Sequence, residues 1–204
     1  MPQSNATTFG LGAFVPAADL VPELKVGDIV EIDRTLYAHW AVHVGDGRVV
    51  HVAGPSEEDI PSEPWALVHL CPLAELAGCS RVRVNNKSVR AKERKVRSLD
   101  GTQVAARALA QRGHKLDFNF LTRNAEFYAT QWKYGQGWSD QGAVALSVMK
   151  PLGADLEVGH NTLLTGLQAV FGSPILSYMR HNLPPRSPRT PQKRPPQANS
   201  LTAA

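Results

Sequence analysis

Cysteine is nearly absent from this sequence. Cys71 and Cys79 are the two in 204 residues, with seven residues between them, and no CxxC occurs. That spacing suits no zinc site. Two isolated thiols are expected to stay reduced, as in a cytosolic protein. The first residues lack the charged start and unbroken apolar run of a secretory signal. Acidic residues are missing from residues 180–204, where Arg180, Arg186, Arg189, Lys193 and Arg194 stand. Those five leave 17 basic and 18 acidic groups over residues 1–179, so the formal net charge of +4 belongs to the tail. A basic domain surface is not implied, which argues against a nucleic-acid-binding core. The tail itself suits anionic lipid or an acidic protein partner.

Charge of either sign is absent from residues 158–179. The length suits a membrane span. Histidine, asparagine, glutamine, three glycines and a proline dilute it. A membrane-associated segment and an amphipathic helix folded onto the domain both stay open. Residues 180–204 carry six of the 15 prolines and read as disordered.

What is present is an ordinary globular core. Hydrophobic residues make up 43% and charged residues 20%, enough for one domain with tails. Residues 1–22 are small, polar and proline-containing, and read as flexible. Residues 25–28 form a turn and residues 29–32 a β-rich run. Residues 54–64 hold two prolines beyond Gly54 and Pro55, and read as a loop. Residues 65–70 suit a strand, 72–77 a helical turn and 81–84 an edge strand. Residues 86–97 are rich in Lys and Arg, most simply a solvated connection. Residues 100–113 form the clearest helix, with Asp100 or Thr102 as cap and Val104, Ala105, Ala108 and Leu109 as its apolar stripe. A second helix begins near residues 122–124, capped by Asn124 or Thr122, and ends at Gly135. Strands with packed helices give an α+β domain.

Between the first strand and the loop lies a histidine-bearing hairpin. Apolar and polar residues alternate from His39 to Val44, and Gly45-Asp46-Gly47 is a turn signal. A three-residue loop would pair Val44 with Arg48 and Ala41 with His51. His39, two residues from Ala41, would then share a face with His51, at roughly 7–8 Å between Cβ atoms. A two-residue loop would pair Val42 with His51 and send the histidines to opposite faces. The pattern does not choose between these registers. His43 and His69 read as ordinary strand histidines.

The motifs resemble those of the HRAS-like suppressor phospholipase/acyltransferases, in the lecithin retinol acyltransferase domain group. The resemblance rests on Val26-Gly27-Asp28-Ile29-Val30-Glu31-Ile32, His39-Trp40-Ala41-Val42-His43-Val44-Gly45-Asp46-Gly47 and Val50-His51-Val52-Ala53. Arg83-Val84-Asn85-Asn86-Lys87, Ala106-Arg107-Ala108-Leu109, Lys133-Tyr134-Gly135 and Ser139-Asp140-Gln141 extend it. It covers about residues 23–142. It implies an α+β fold, an antiparallel sheet with packed helices, of the circularly permuted papain-like (NlpC-type) kind. Residues 1–22 then precede the domain. Residues 143–179 follow as an apolar segment and possible membrane anchor, and 180–204 as a basic, proline-rich tail.

In that family a Cys-His-His site handles phospholipid acyl groups. The resemblance implies His39 as general base and His51 as the residue orienting it. The nucleophile would be the cysteine of an Asn-Cys-Glu-His-Phe motif at a helix start. There the helix N-terminus and an imidazolium both favour thiolate, and acyl transfer passes through a thioester. Here the motif reads Asn124-Ala125-Glu126-Phe127-Tyr128. Ala125 has no lone pair to attack an ester, and Phe127 replaces the family's histidine. Thr122 and Thr130 flank the position and are weak nucleophiles. Cys71 and Cys79 belong to a different region and read as ordinary thiols.

Three readings follow. One is a catalytically silent family member that binds glycerophospholipid, a membrane surface or a protein partner. Another is an active enzyme with a different nucleophile, or a Cys-to-Ala copy of an active one. The third is an interaction protein built around the tail and apolar segment. No cofactor or metal is expected. A cytoplasmic location is expected, peripheral to or C-terminally anchored at intracellular membranes.

Overall fold

The computed structural model describes residues 11–34 and 37–140. The apolar segment 158–179 and the tail 180–204 lie outside the described residues, and so do the expectations placed on them. Among the described residues, no helix is long and apolar enough to cross a membrane.

Six strands form one antiparallel sheet. In chain order they are β1 (Ile29–Asp33), β2 (Ala38–Gly45), β3 (Arg48–Ala53), β4 (Trp65–Pro72), β5 (Val82–Val84) and β6 (Lys115–Asp117). Their order across the sheet is β5-β1-β2-β3-β4-β6. The α-helices among the described residues are α1 (Ala17–Leu20), α2 (Leu73–Ala77), α3 (Ser88–Glu93), α4 (Gly101–Ala110) and α5 (Ala125–Tyr134). The expected α+β architecture is therefore present, with helices on both faces of an antiparallel sheet.

Strand alternation explains the two cores. Ile29, Trp40, Val42, Val50, Val52 and Val68 point to one face and pack with Val104 and Ala108 of α4 and Ala129 and Trp132 of α5. Val30, Ile32, Ala41, Val49 and Cys71 point to the other and meet Leu20 of α1 and Leu73, Leu76 and Ala77 of α2. Covered on both sides, β1 to β3 are buried along nearly their whole length, polar residues included. The stripe on α4 is narrower than its spacing suggests, because Leu109 is exposed while Val104, Ala105 and Ala108 are buried.

Two sequence expectations change, and one short strand was not anticipated. Residues 11–22, read as flexible, are built into the fold. Leu11 bridges Asn85, Val15 bridges Val82, and α1 packs on the sheet. Residues 86–97 are not a plain connection, since α3 lies within them and Asn86 accepts the Ile29 N–H at 2.9 Å. Strand β6 carries three residues with both ends exposed, too short a pattern for periodicity to reveal.

The hairpin register resolves in an unexpected way. The loop has two residues, Asp46 and Gly47, with φ of 51° and 64°, as a type I′ turn requires. Gly45 accordingly pairs with Arg48. The register then shifts between His43 and Gly45, leaving Val44 as the extra residue of a β-bulge. Beyond it Ala41 pairs with His51. The two-residue turn and the shared histidine face thus coexist, because the bulge absorbs the difference.

Candidate functional site

The site grows from the middle of the sheet. Strands β2 and β3 place His39 and His51 as diagonal neighbours. His39 Nε2 and His51 Nδ1 stand 3.0 Å apart, with the rings edge to face at 77°. Both side chains are buried. At this spacing one nitrogen donates and the other accepts.

Around His39 is a polar support. Asp59 Oδ1 lies 3.6 Å from His39 Nδ1, within ion-pair range and too long for a direct hydrogen bond. Its other oxygen accepts from Arg34 Nε at 2.8 Å and from the Tyr37 hydroxyl at 3.1 Å. Arg34 spends its remaining donors on the carbonyls of Leu76 and Ala77 and on Ser80 Oγ. The Arg34 and Asp59 side chains are 4% and 2% exposed. A carboxylate facing Nδ1 favours the tautomer with its proton there, which leaves Nε2 to accept from His51.

A third histidine extends the row. His69 on β4 pairs directly with His51, and the ring centroids are 5.5 Å apart. Its Nε2 bonds the Gly54 carbonyl at 3.0 Å, and Glu57 Oε1 lies 3.8 Å from Nδ1. Sequence reading treated His69 as an ordinary strand residue and missed Asp59, Arg34 and Glu57. The loop at 54–64 supplies both carboxylates at the ends of this row. Such loop positions carry no periodic signal. His43 does behave as an ordinary residue, holding the Lys25 carbonyl with Nδ1 at 3.1 Å.

Ala125 occupies the first position of α5. The helix starts there because Asn124 caps it, its Oδ1 accepting from the Phe127 N–H at 3.1 Å. Asn124 Nδ2 donates to the Phe120 carbonyl and to Ser139 Oγ, and Ser139 Oγ donates to Glu126 Oε2 at 2.8 Å. Glu126 is buried and ion-paired with Lys87, whose amine also reaches Asp140 at 3.1 Å and stands 4.4 Å over the Trp40 ring. A carboxylate in the first helical turn suits the helix dipole, and Lys87 balances its charge.

This N-terminus adjoins the start of β2. The rings of Tyr37 and Phe120 meet edge to face at 6.3 Å, and Ala125 shares its apolar cluster with Trp40, the residue after His39. His39 and His51 are brought into direct contact, and Ala125 lies at the helix start beside their strands.

The neighbouring hydroxyls are otherwise engaged. Thr130 Oγ1 is buried, accepts the Trp138 N–H at 3.0 Å and lies 2.8 Å from the Phe127 carbonyl. Thr122 faces solvent. Cys71 is buried and Cys79 exposed, both as free thiols. Among the described residues no cluster of His, Cys, Asp and Glu could hold a metal ion.

Comparison with known proteins gives one consistent result. The lecithin retinol acyltransferase family profile matches residues 22–137. Human "Phospholipase A and acyltransferase 3" is 35% identical over 129 residues, 59% of this chain and 77% of that protein. Human "Phospholipase A and acyltransferase 2" is 35% identical over 128 residues, 59% and 76% of the two chains. Human "Phospholipase A and acyltransferase 4" is 33% identical over 159 residues, 74% and 88% of the two.

Proposed function

The chain belongs to the lecithin retinol acyltransferase family, and we propose that it binds glycerophospholipid acyl groups without transferring them. The observation that carries this reading is Ala125 at the first position of α5, a helix packed on the two strands that bear the hydrogen-bonded His39–His51 pair. In a working site the base takes the thiol proton and the thiolate attacks the ester carbonyl. A carbon–sulfur bond forms, the ester carbon–oxygen bond breaks, and the departing alkoxide recovers the proton from the imidazolium. Here His39 keeps its imidazole, with Nε2 held by His51 and Nδ1 3.6 Å from Asp59, so taking a thiol proton would require Nδ1 to turn from Asp59 to the sulfur. The helix start that would favour thiolate is capped and charge-balanced. What is missing is the sulfur.

A lipid-binding role fits this pattern of loss. The support for the base costs stability to maintain, since Arg34, Asp59, His39 and His51 are all polar groups held away from water. Such a buried polar cluster suits a site that receives the polar ester of a lipid.

The test is intact-mass spectrometry after incubation with phosphatidylcholine. The unaltered chain is expected to show no acyl adduct, and Ala125→Cys to form one and release fatty acid. Adding His39→Ala to that revertant should reduce its rate by about 10²–10⁴-fold, the usual contribution of a positioned base. A stable adduct on the unaltered chain overturns the silent reading.

A further inference from the structure

We propose that the ridge formed by α3 and the turn after it is a docking face for an anionic phospholipid surface. This rests on the lipid-binding reading above and adds where and how the domain meets the lipid. The near-neutral balance of residues 1–179 conceals a strong separation of charge. Residues 81–97 hold eight Lys and Arg and one acid, Glu93, leaving nine basic and 17 acidic groups for the rest of that stretch. The domain therefore has a basic surface after all, contrary to what its net charge suggested.

The structure displays this charge outward. Arg90 is 54% exposed, and Lys92, Lys95 and Arg97 face solvent. Val89, one of four large apolar residues exposed among those described, sits within the ridge at 48%. Ala91 and Val96 point the other way, into the core, and fix which side is presented. Basic side chains around a single exposed apolar one match a headgroup layer over an acyl boundary.

Position strengthens the assignment. The ridge is fastened to the helix that begins with Ala125. Lys87, the residue that precedes α3, is ion-paired with Glu126 in the first turn of α5. Arg90 and Arg94 reach Asp140 at 3.6 and 3.9 Å, and Arg94 stacks over Trp138 at 5.2 Å. Docking through α3 would therefore hold the α5 N-terminus at a fixed orientation to the lipid. Solvated charge alone does not require such anchoring.

The experiment uses the full chain and sedimentation with phosphatidylcholine vesicles, with and without phosphatidylserine. The variant Lys92→Ala/Lys95→Asn/Arg97→Gln removes three charges that make no ion pair among the described residues. Asparagine is chosen at 95 because φ there is 57°. Two comparison variants remove equal charge elsewhere: Lys25→Ala/Arg107→Ala/Arg112→Ala on the domain, and Arg186→Ala/Arg189→Ala/Lys193→Ala in the tail. Each basic side chain at an anionic surface is worth up to roughly five-fold in partitioning. The ridge variant is expected to lose at least about ten-fold on phosphatidylserine vesicles, and the domain comparison about two-fold or less. Binding of the unaltered chain should weaken as salt rises.

Equal losses in the ridge and domain variants overturn the proposal, as does a loss confined to the tail variant. So does failure of the unaltered chain to bind either vesicle. Duplex DNA binding that the ridge variant abolishes, with vesicle binding intact, overturns it in favour of a nucleic-acid face. The silent-enzyme reading is decided separately by acylation of Ala125→Cys with neutral phosphatidylcholine, where the ridge has no anionic partner.

Discussion

His39 touches His51 because Val44 is one residue too many for its strand. The Asp46-Gly47 turn alone would pair Val42 with His51 and turn the two imidazoles to opposite faces. The bulge restores the pairing of Ala41 with His51 and closes the 3.0 Å contact. Deleting Val44 should therefore remove the bulge and keep the pairing, because the remaining chain runs Gly45 with Arg48, His43 with Val49 and Ala41 with His51 without a break. Inserting a second residue beside Val44 should instead slip the strand by one and exchange the faces of its residues. Imidazole nitrogen NMR should show coupling between His39 and His51 in the deletion variant and none in the insertion variant. Lost coupling in the deletion variant would mean that the register alone does not set the contact.

Arg34 and Asp59 form a buried ion pair at 2.8 Å. Removing one partner of such a pair leaves an uncompensated charge, at about 3–5 kcal/mol. Arg34→Met should lose that much in denaturant unfolding. Arg34→Met/Asp59→Leu should lose less than either single change, because the two costs share one origin. Simple additivity would show that the pair is not coupled. Asp59→Asn should also redistribute the His39 ring proton between its two nitrogens, read from the same imidazole resonances.

Phe127 leaves no room for a side chain at Gly137. A Cβ added at Gly137 would lie 2.5 Å from the Phe127 ring. Gly137→Ala should cost about 1–3 kcal/mol by overpacking, and a smaller side chain at 127 should recover part of that. If Gly137→Ala unfolds at the same denaturant concentration as the unaltered chain, the ring does not rest on Gly137.

Lys133 provides a pH signature. Its amine is held below the ordinary value of 10.5 by burial, opposed by the charge of Asp28. The folded chain thus releases this proton before the unfolded chain does. Between the folded value and 10.5 the unfolded state binds more protons, so the stability owed to Lys133 rises with pH. It is fully present above 10.5 and lost as pH falls through the folded value. The unfolding free energy of the unaltered chain, relative to Lys133→Met, should increase as pH rises toward 10.5. Tyr128 and Tyr134, both raised by burial, occur in both proteins and cancel. A flat difference would place the Lys133 amine at its ordinary value.

The elements legible in the sequence were those whose cause is local. Asn124 caps α5 and Gly135 ends it with φ of 73°, because capping and the left-handed stop are decided within a few residues. Asp100 accepts from the Thr102 N–H for the same reason. The histidine hairpin was visible as an alternation, while its register depended on a bulge that alternation does not encode. Asp59 was hidden because a carboxylate in a proline-containing loop becomes a histidine partner only when the loop folds back over the sheet. Lys87 and Glu126 are far apart in sequence, and nothing short-range announces their pairing. The Lys- and Arg-rich run at 86–97 was visible as composition, while the helix that turns its charge outward was not, because so short a helix leaves no periodic signal.

Strand β5 lies at the end of the sheet, where an uncovered ladder of amides and carbonyls would recruit any extended chain, including another copy of this one. Residues 11–15 occupy that ladder. Gly12 N–H donates to the Val84 carbonyl at 3.0 Å, and Val15 exchanges bonds with Val82 at 2.9 and 2.8 Å. The segment thus acts as a built-in chain terminator for sheet growth. Shortening the protein past residue 16 would open the ladder to self-templated polymerisation while leaving the histidine pair and the α5 start in place.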